Sequence, residues 1–156
     1  MTREVDPTAN EEARVQYVMK GYRGDTYSQV ETLVYMALTE RTHAVFCRRL
    51  AAQVEEPILA GLVDRIARDE ARHEQMFSDL VAHCLEYIRD ETIAAIAARA
   101  ADLQVVGADI DAYRDKVRNV ADAGIFDAAY LRQAISDRIT EWGVAGEPAL
   151  RQFVIG

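Results

Sequence analysis

The stretch Arg68-Asp69-Glu70-Ala71-Arg72-His73-Glu74 sets a carboxylate and an imidazole three residues apart inside a long helical pattern. Residues at i and i+3 of a helix share a face about one turn apart, so Glu70 and His73 can both reach one metal ion. Glu-x-x-His is also the ligand pair that carboxylate-bridged di-iron bundles carry on their helices. The spacing alone is common; its setting gives it weight. Leu59, Leu62, Ile66, His73, Phe77, Leu80 and Cys84 follow helical spacing around it, with Glu70 in the same stripe. That pattern predicts two ionisable residues aimed into the core.

Composition agrees with a helical reading. The chain has 156 residues, half of them hydrophobic, with only three Pro and eight Gly. Such a chain is long enough to bury a core and is expected to form one all-α domain over residues 1–156. A formal charge of −8 without a basic run argues against nucleic acid as a partner. No run of 18 apolar residues and no signal-type start is present in the sequence, so no membrane span is expected and a cytoplasmic location is. Cys47 and Cys84 fall in helical apolar stripes, where reduced thiols packed as small hydrophobes are expected.

Local signals divide the chain. Asp6-Pro7 reads as an N-cap followed by Pro at the first helical position, opening a helix to about Lys20. Thr26 or Ser28 caps a long helix reaching about Val54, with Val30, Leu33, Ala37, Ala44, Cys47 and Ala51 inward and Glu40 in the same stripe. Pro57 begins the next helix, which continues to about Arg89. Residues of about 27–89 thus form a long antiparallel hairpin, followed by peripheral helices over about 90–143 and a tail over 144–156. Within the peripheral part, Asp90 is expected to cap one helix and Asp109 to open another that Gly124 stops. Asp127 opens a third, running through Leu131, Ile135 and Ile139 to Trp142, where Gly143 ends it.

Glu40 lies roughly 15 residues before the hairpin turn and Glu70 roughly 15 after it, which at 1.5 Å per residue puts both about 22 Å from the turn. Two carboxylates at one level of an apolar layer repel and lack solvation unless protonated, paired or bound to a cation. Glu40, Glu70 and His73 are therefore the candidate metal ligands. Carboxylates and imidazole without paired thiolates suit iron or manganese better than structural zinc. Glu40-Arg41-Thr42-His43 repeats the Glu-x-x-His spacing, and His43 is expected to stand behind the ligands rather than among them. No catalytic residue beyond the ligands is assigned. His83 reads as helix surface, Tyr35 and Trp142 as packing aromatics, and Arg48, Arg49, Arg65, Arg68 and Arg72 as a solvated face.

Four stretches carry a resemblance: Glu40-Arg41-Thr42-His43-Ala44-Val45-Phe46, Glu56-Pro57, Ile66-Ala67-Arg68-Asp69-Glu70-Ala71-Arg72-His73, and Ala123-Gly124-Ile125-Phe126-Asp127. Together they resemble the second half of the acyl-acyl-carrier-protein desaturases, especially the mycobacterial-type members, from near residue 3 to about Trp142. The resemblance implies a ferritin-like helical bundle with two irons, completed by a second chain. Glu40 would hold one iron, Glu70 would bridge both and His73 would complete one iron's nitrogen ligation. It implies O2-dependent desaturation of an acyl chain on acyl carrier protein, with electrons from a ferredoxin-type donor. A complete member carries another Glu and another Glu-x-x-His in an earlier half, which this sequence lacks. The expected partner is thus a chain supplying that half, or a second copy in a homodimer. A non-catalytic half that binds a full-length desaturase or carrier protein is the alternative, as is a fragment of a longer chain. Where the plant members have Thr, this sequence has His43.

Overall fold

The computed structural model describes residues 12, 15, 27–105 and 114–155. Apart from Glu12 and Val15, which are helical, the expected helix from Asp6 to Lys20 lies outside these residues, as does the start of the one expected at Asp109. Among those described there is no strand, and no helix is long and apolar enough to cross a membrane.

Helix α1, Gln29–Gln53, starts where its sequence provides a reciprocal cap. The Ser28 hydroxyl accepts from the Glu31 amide at 3.2 Å, and the Glu31 carboxylate accepts from the Ser28 amide at 2.8 Å. Helix α2, Pro57–Tyr87, begins at a proline whose missing N–H costs nothing in a first turn. Glu56 caps it by accepting from the Ile58 and Leu59 amides at 3.1 and 2.7 Å. The three-residue connection leaves no room except for antiparallel packing of α1 on α2.

Helix α3, Arg89–Asp102, follows after a single break at Ile88. Asp90 lies inside its first turn, and no side chain caps it, contrary to the expected Asp90 cap. The Thr92 amide bonds the Ile88 carbonyl at 3.0 Å, so the helix restarts one residue earlier. Helix α4 is described over Arg114–Asp122 and ends at Gly124, whose φ of 68° only glycine adopts freely. Helix α5, Ala128–Glu141, is capped by Asp127 and leaves at Gly143, φ 71°. A short 3-10 turn, Arg151–Phe153, closes the described chain.

The core joins Val34 and Leu38 of α1, Val81 of α2, Ile96 of α3 and Ile139 of α5, with Val144 and Leu150 beyond it. Arg49 pins α1 to the α4–α5 connection. Its guanidinium donates to the carbonyls of Gly124 and Ile125 at 2.7 and 2.6 Å and lies 3.6 Å over the Tyr130 ring. Arg49 therefore leaves the expected solvated face. Arg68 and Arg72 remain exposed and pair with Asp64 and Asp69. Cys47 and Cys84 are free thiols.

The inward face of α2 differs from the expected one. Val63, Ala67, Glu74, Ser78, Val81 and Leu85 are buried, whereas Leu59, Leu62, Ile66 and Leu80 are 47, 55, 40 and 44% exposed. Ala67 and Ser78 are the small residues of this buried face, and Ser78 accepts from the Arg138 guanidinium of α5. The bulkier stripe that periodicity picks out lies on another side of the same helix, with Glu70 and His73 along it.

Candidate metal centre

Because α1 and α2 leave their shared turn together, Glu40 and Glu70 arrive at one level. Donor atoms of Glu40, His43 and Glu70 all lie within 4.8 Å of one another, and each of the three residues is partly buried. His73 stands at the edge of this group. Its Nδ1 is 3.4 Å from Glu70 Oε2, and its side chain is 58% exposed. Sequence reasoning put His73 ahead of His43; the structure draws His43 into the cluster and leaves His73 beside it.

The electrostatics are those of two carboxyl groups sharing a place for one charge. Burial, a hydrogen bond with Glu70 and the repulsion of its charge push the Glu40 carboxyl up to about 7. Glu70 is held below the usual carboxylate range by its hydrogen bond with Glu40 and by the two imidazoles. The two carboxyl groups thus disfavour carrying two charges side by side, a conflict that a cation between them would relieve. Glu40 Oε2 is buried and has no hydrogen-bond partner. An orphaned carboxylate oxygen, a second carboxylate and an imidazole within one ion's reach fit a divalent first-row metal, whose ligand bonds run about 2.0–2.2 Å. One turn along α1, burial and the Glu70 charge push the Cys47 thiol up, keeping it protonated.

Behind the cluster lies a network that sequence reasoning missed. Glu74, next to His73, is buried and forms an ion pair with buried Arg138 of α5. Arg138 also donates to the Ser78 hydroxyl at 2.8 Å and pairs with Glu141 at 3.0 Å. The Trp142 indole donates to the same hydroxyl at 2.9 Å. Glu141 in turn pairs with Arg41, next to Glu40, at 2.9 Å. Glu74, following His73, is thereby bound to the Arg138 guanidinium, and Arg41, following Glu40, reaches it through the shared Glu141 carboxylate. The available signal was the position of Arg138 one turn from Ile135 in a buried stripe; its partner, 64 positions away, was not legible.

Fold and site together define a helical bundle that presents carboxylates and imidazoles from neighbouring helices, a ferritin-like arrangement. Residues 1–152 match the family model described as fatty acid desaturase. Over all 156 residues the chain is 75% identical to DesA2 of Mycobacterium tuberculosis H37Rv, which bears the provisional name acyl-ACP desaturase, and it covers 57% of that protein. It is 30% identical over 122 residues to the chloroplastic acyl-ACP desaturase 7 of Oryza sativa subsp. japonica, covering 72% of this chain and 30% of that protein. The X-ray structure of DesA2 superposes with a TM-score of 0.87 at 70% identity, over 98% of this chain and 59% of that one. The chain belongs to the fatty acid desaturase family. It spans a little over half the length of DesA2.

Proposed function

We propose that this chain forms one half of a non-heme di-iron, acyl-ACP desaturase-like oxidase that carries out O2-dependent desaturation of a carrier-protein-bound acyl chain. The observation that carries the reading is the meeting of Glu40 and Glu70 in one cluster, with Glu40 Oε2 buried and unpartnered. Glu40, Glu70 and His73 would hold iron, and a second Glu and Glu-x-x-His from another set of helices would complete the cage. Bound iron supplies oxygen activation and removal of hydrogen from an unactivated C–H bond.

The chain's own residues position and insulate. Glu40 and Glu70 would hold the metal with their carboxylates ionised, the repulsion between them being offset by its charge. The imidazole of His73 steadies the Glu70 carboxylate it already faces. Leu62, Ile66 and Leu80, exposed along α2, form the apolar wall against which the second set of helices packs and excludes water. Arg48 and Arg65 are exposed and offer cations to an acidic carrier protein. The family resemblance further suggests a ferredoxin-type electron donor.

Co-purification with a candidate second half, followed by iron analysis and mass spectrometry of an acyl-ACP substrate, tests the reading. Roughly two irons per complex, and a product lacking two hydrogens, are expected. A stable complex without iron, or one that leaves the acyl chain unchanged when supplied with electrons and oxygen, sinks it. The same exposed stripe favours a second reading, a non-catalytic half that docks on a desaturase. In that case Glu70→Ala leaves partner binding and partner activity unchanged.

A further inference from the structure

We propose that the open face of the α1–α2 hairpin is complementary to itself, and that a second copy of this chain docks on it about a two-fold axis, α1 antiparallel to α1 and α2 antiparallel to α2. The proposal rests on the reading of the exposed α2 stripe as a seat for further helices, and it names their source.

Each hairpin helix carries a seam with the alternating three- and four-residue spacing of helices that pack along their length. On α1 the seam is Leu33, Met36, Glu40, His43, Cys47 and Leu50, each half-buried. On α2 it is Leu62, Ile66, Asp69, His73, Met76 and Leu80, all exposed except the half-buried Asp69. The two seams open on one side, because Glu40 and His43 meet Glu70, the neighbour of Asp69. In a two-fold pairing residue i of one copy touches j of the other only if j touches i, so each seam must read alike from both ends. Both do: two apolar residues, an acid and a histidine, then two apolar residues. Antiparallel pairing about these middles sets Leu33 of one copy against Leu50 of the other, Met36 against Cys47 and Glu40 against His43. Along α2 it sets Leu62 against Leu80, Ile66 against Met76 and Asp69 against His73. The two polar middles lie at one level of the hairpin, so a single axis serves both helices. Charge at the rim agrees. Arg65, one position before Ile66, falls opposite Asp79, one position before Leu80, and both are exposed. A partner of different sequence would have to match this face, but it would not require the face to match itself. The second copy would also bring the further Glu and Glu-x-x-His that one hairpin lacks.

The test is sedimentation equilibrium of the full 156-residue chain alone, with Mn(II) added to neutralise the carboxylates gathered at the axis. The mass of two chains is expected at low micromolar concentration. Ile66→Lys should give a monomer that circular dichroism shows to be folded, because the position is open in the single chain. Arg65→Asp and Asp79→Arg should each weaken pairing at least about 10-fold by setting like charges opposite one another. An equimolar mixture of those two variants should pair at wild-type strength, since every mixed contact again joins opposite charges. If Ile66→Lys unfolds, the two charge variants decide the matter, their positions being on the surface. A wild-type chain that stays monomeric overturns the proposal, as does a dimer that neither charge variant weakens or that mixing fails to restore. A chain that is monomeric by itself but binds a different protein carrying the second Glu-x-x-His overturns it too, and leaves the oxidase reading intact. A dimer that passes these tests, holds iron and leaves the acyl chain unchanged supports the proposal and sinks the oxidase reading instead.

Discussion

At the level of single residues, ends of helices and ends of side chains behave differently. Ser28 and Glu31, three positions apart, cap α1 reciprocally; the sequence offered Thr26 or Ser28 as the cap, and the structure takes Ser28 with Glu31 as its partner. Ser28→Ala should cost about 1 kcal/mol, read as a lower denaturant midpoint. Glu31 adds a pH dependence. Its bond from the Ser28 amide holds its carboxyl below the ordinary 4.5, so its stabilisation is present above that value and is lost as pH falls through the lowered folded value. The melting-temperature difference between wild type and Glu31→Gln should therefore be fully open at neutral pH and close below 4.5. A gap that stays constant down to about pH 2 contradicts this assignment. The meeting of Glu40 with Glu70 could also be anticipated, since a tight turn and the helical rise fix their levels. The choice between His43 and His73 could not, because it depends on how far each helix is rotated about its axis.

Rotation is a property of the element, and here α2 is the informative case. It carries apolar residues on more than one side, so a 3.6-residue period shows that it is a helix without showing which side meets α1. Leu59, Leu62 and Ile66 look like core in sequence, yet the face closed by this chain is the one bearing Ala67, Glu74 and Ser78. A charged residue on the packed face is admissible because Arg138 of α5 meets it, both side chains being less than a tenth exposed. Arg138→Met should destabilise the chain by about 3–5 kcal/mol by leaving Glu74 charged and alone. The double change Arg138→Met with Glu74→Leu should recover most of that loss, since it removes both desolvated charges. A double variant as unstable as the single one would mean that the ion pair does not account for the cost. The network also links the two hairpin helices to α5, Glu74 directly through Arg138 and Arg41 through Glu141.

For the whole molecule, the consequence is an apolar stripe that its own described residues do not cover. Ile58, Leu59, Leu62, Ile66, Met76 and Leu80 stay 40% or more exposed along α2. Leu62→Glu should change the stability of the isolated chain by no more than about 0.5 kcal/mol, because the site is open. The same variant should bind less of a dye that reports apolar surface and should fail to pair with a second half. Pairing at wild-type strength would place the interface elsewhere. The sequence alone determined a helical chain, the hairpin boundaries near Thr26 or Ser28 and at Pro57, the Gly124 and Gly143 exits, and the level at which two carboxylates meet. All of these follow from local chemistry or from counting residues along a rigid helix. Only the tertiary structure decided which face of α2 is closed, that Arg49 and Arg138 serve the interior, and that His43 joins the Glu40–Glu70 cluster while His73 flanks it. Those outcomes depend on helix rotation, and rotation is selected by the fit of small residues and buried charges between helices, a many-body packing energy that no single stretch of sequence contains.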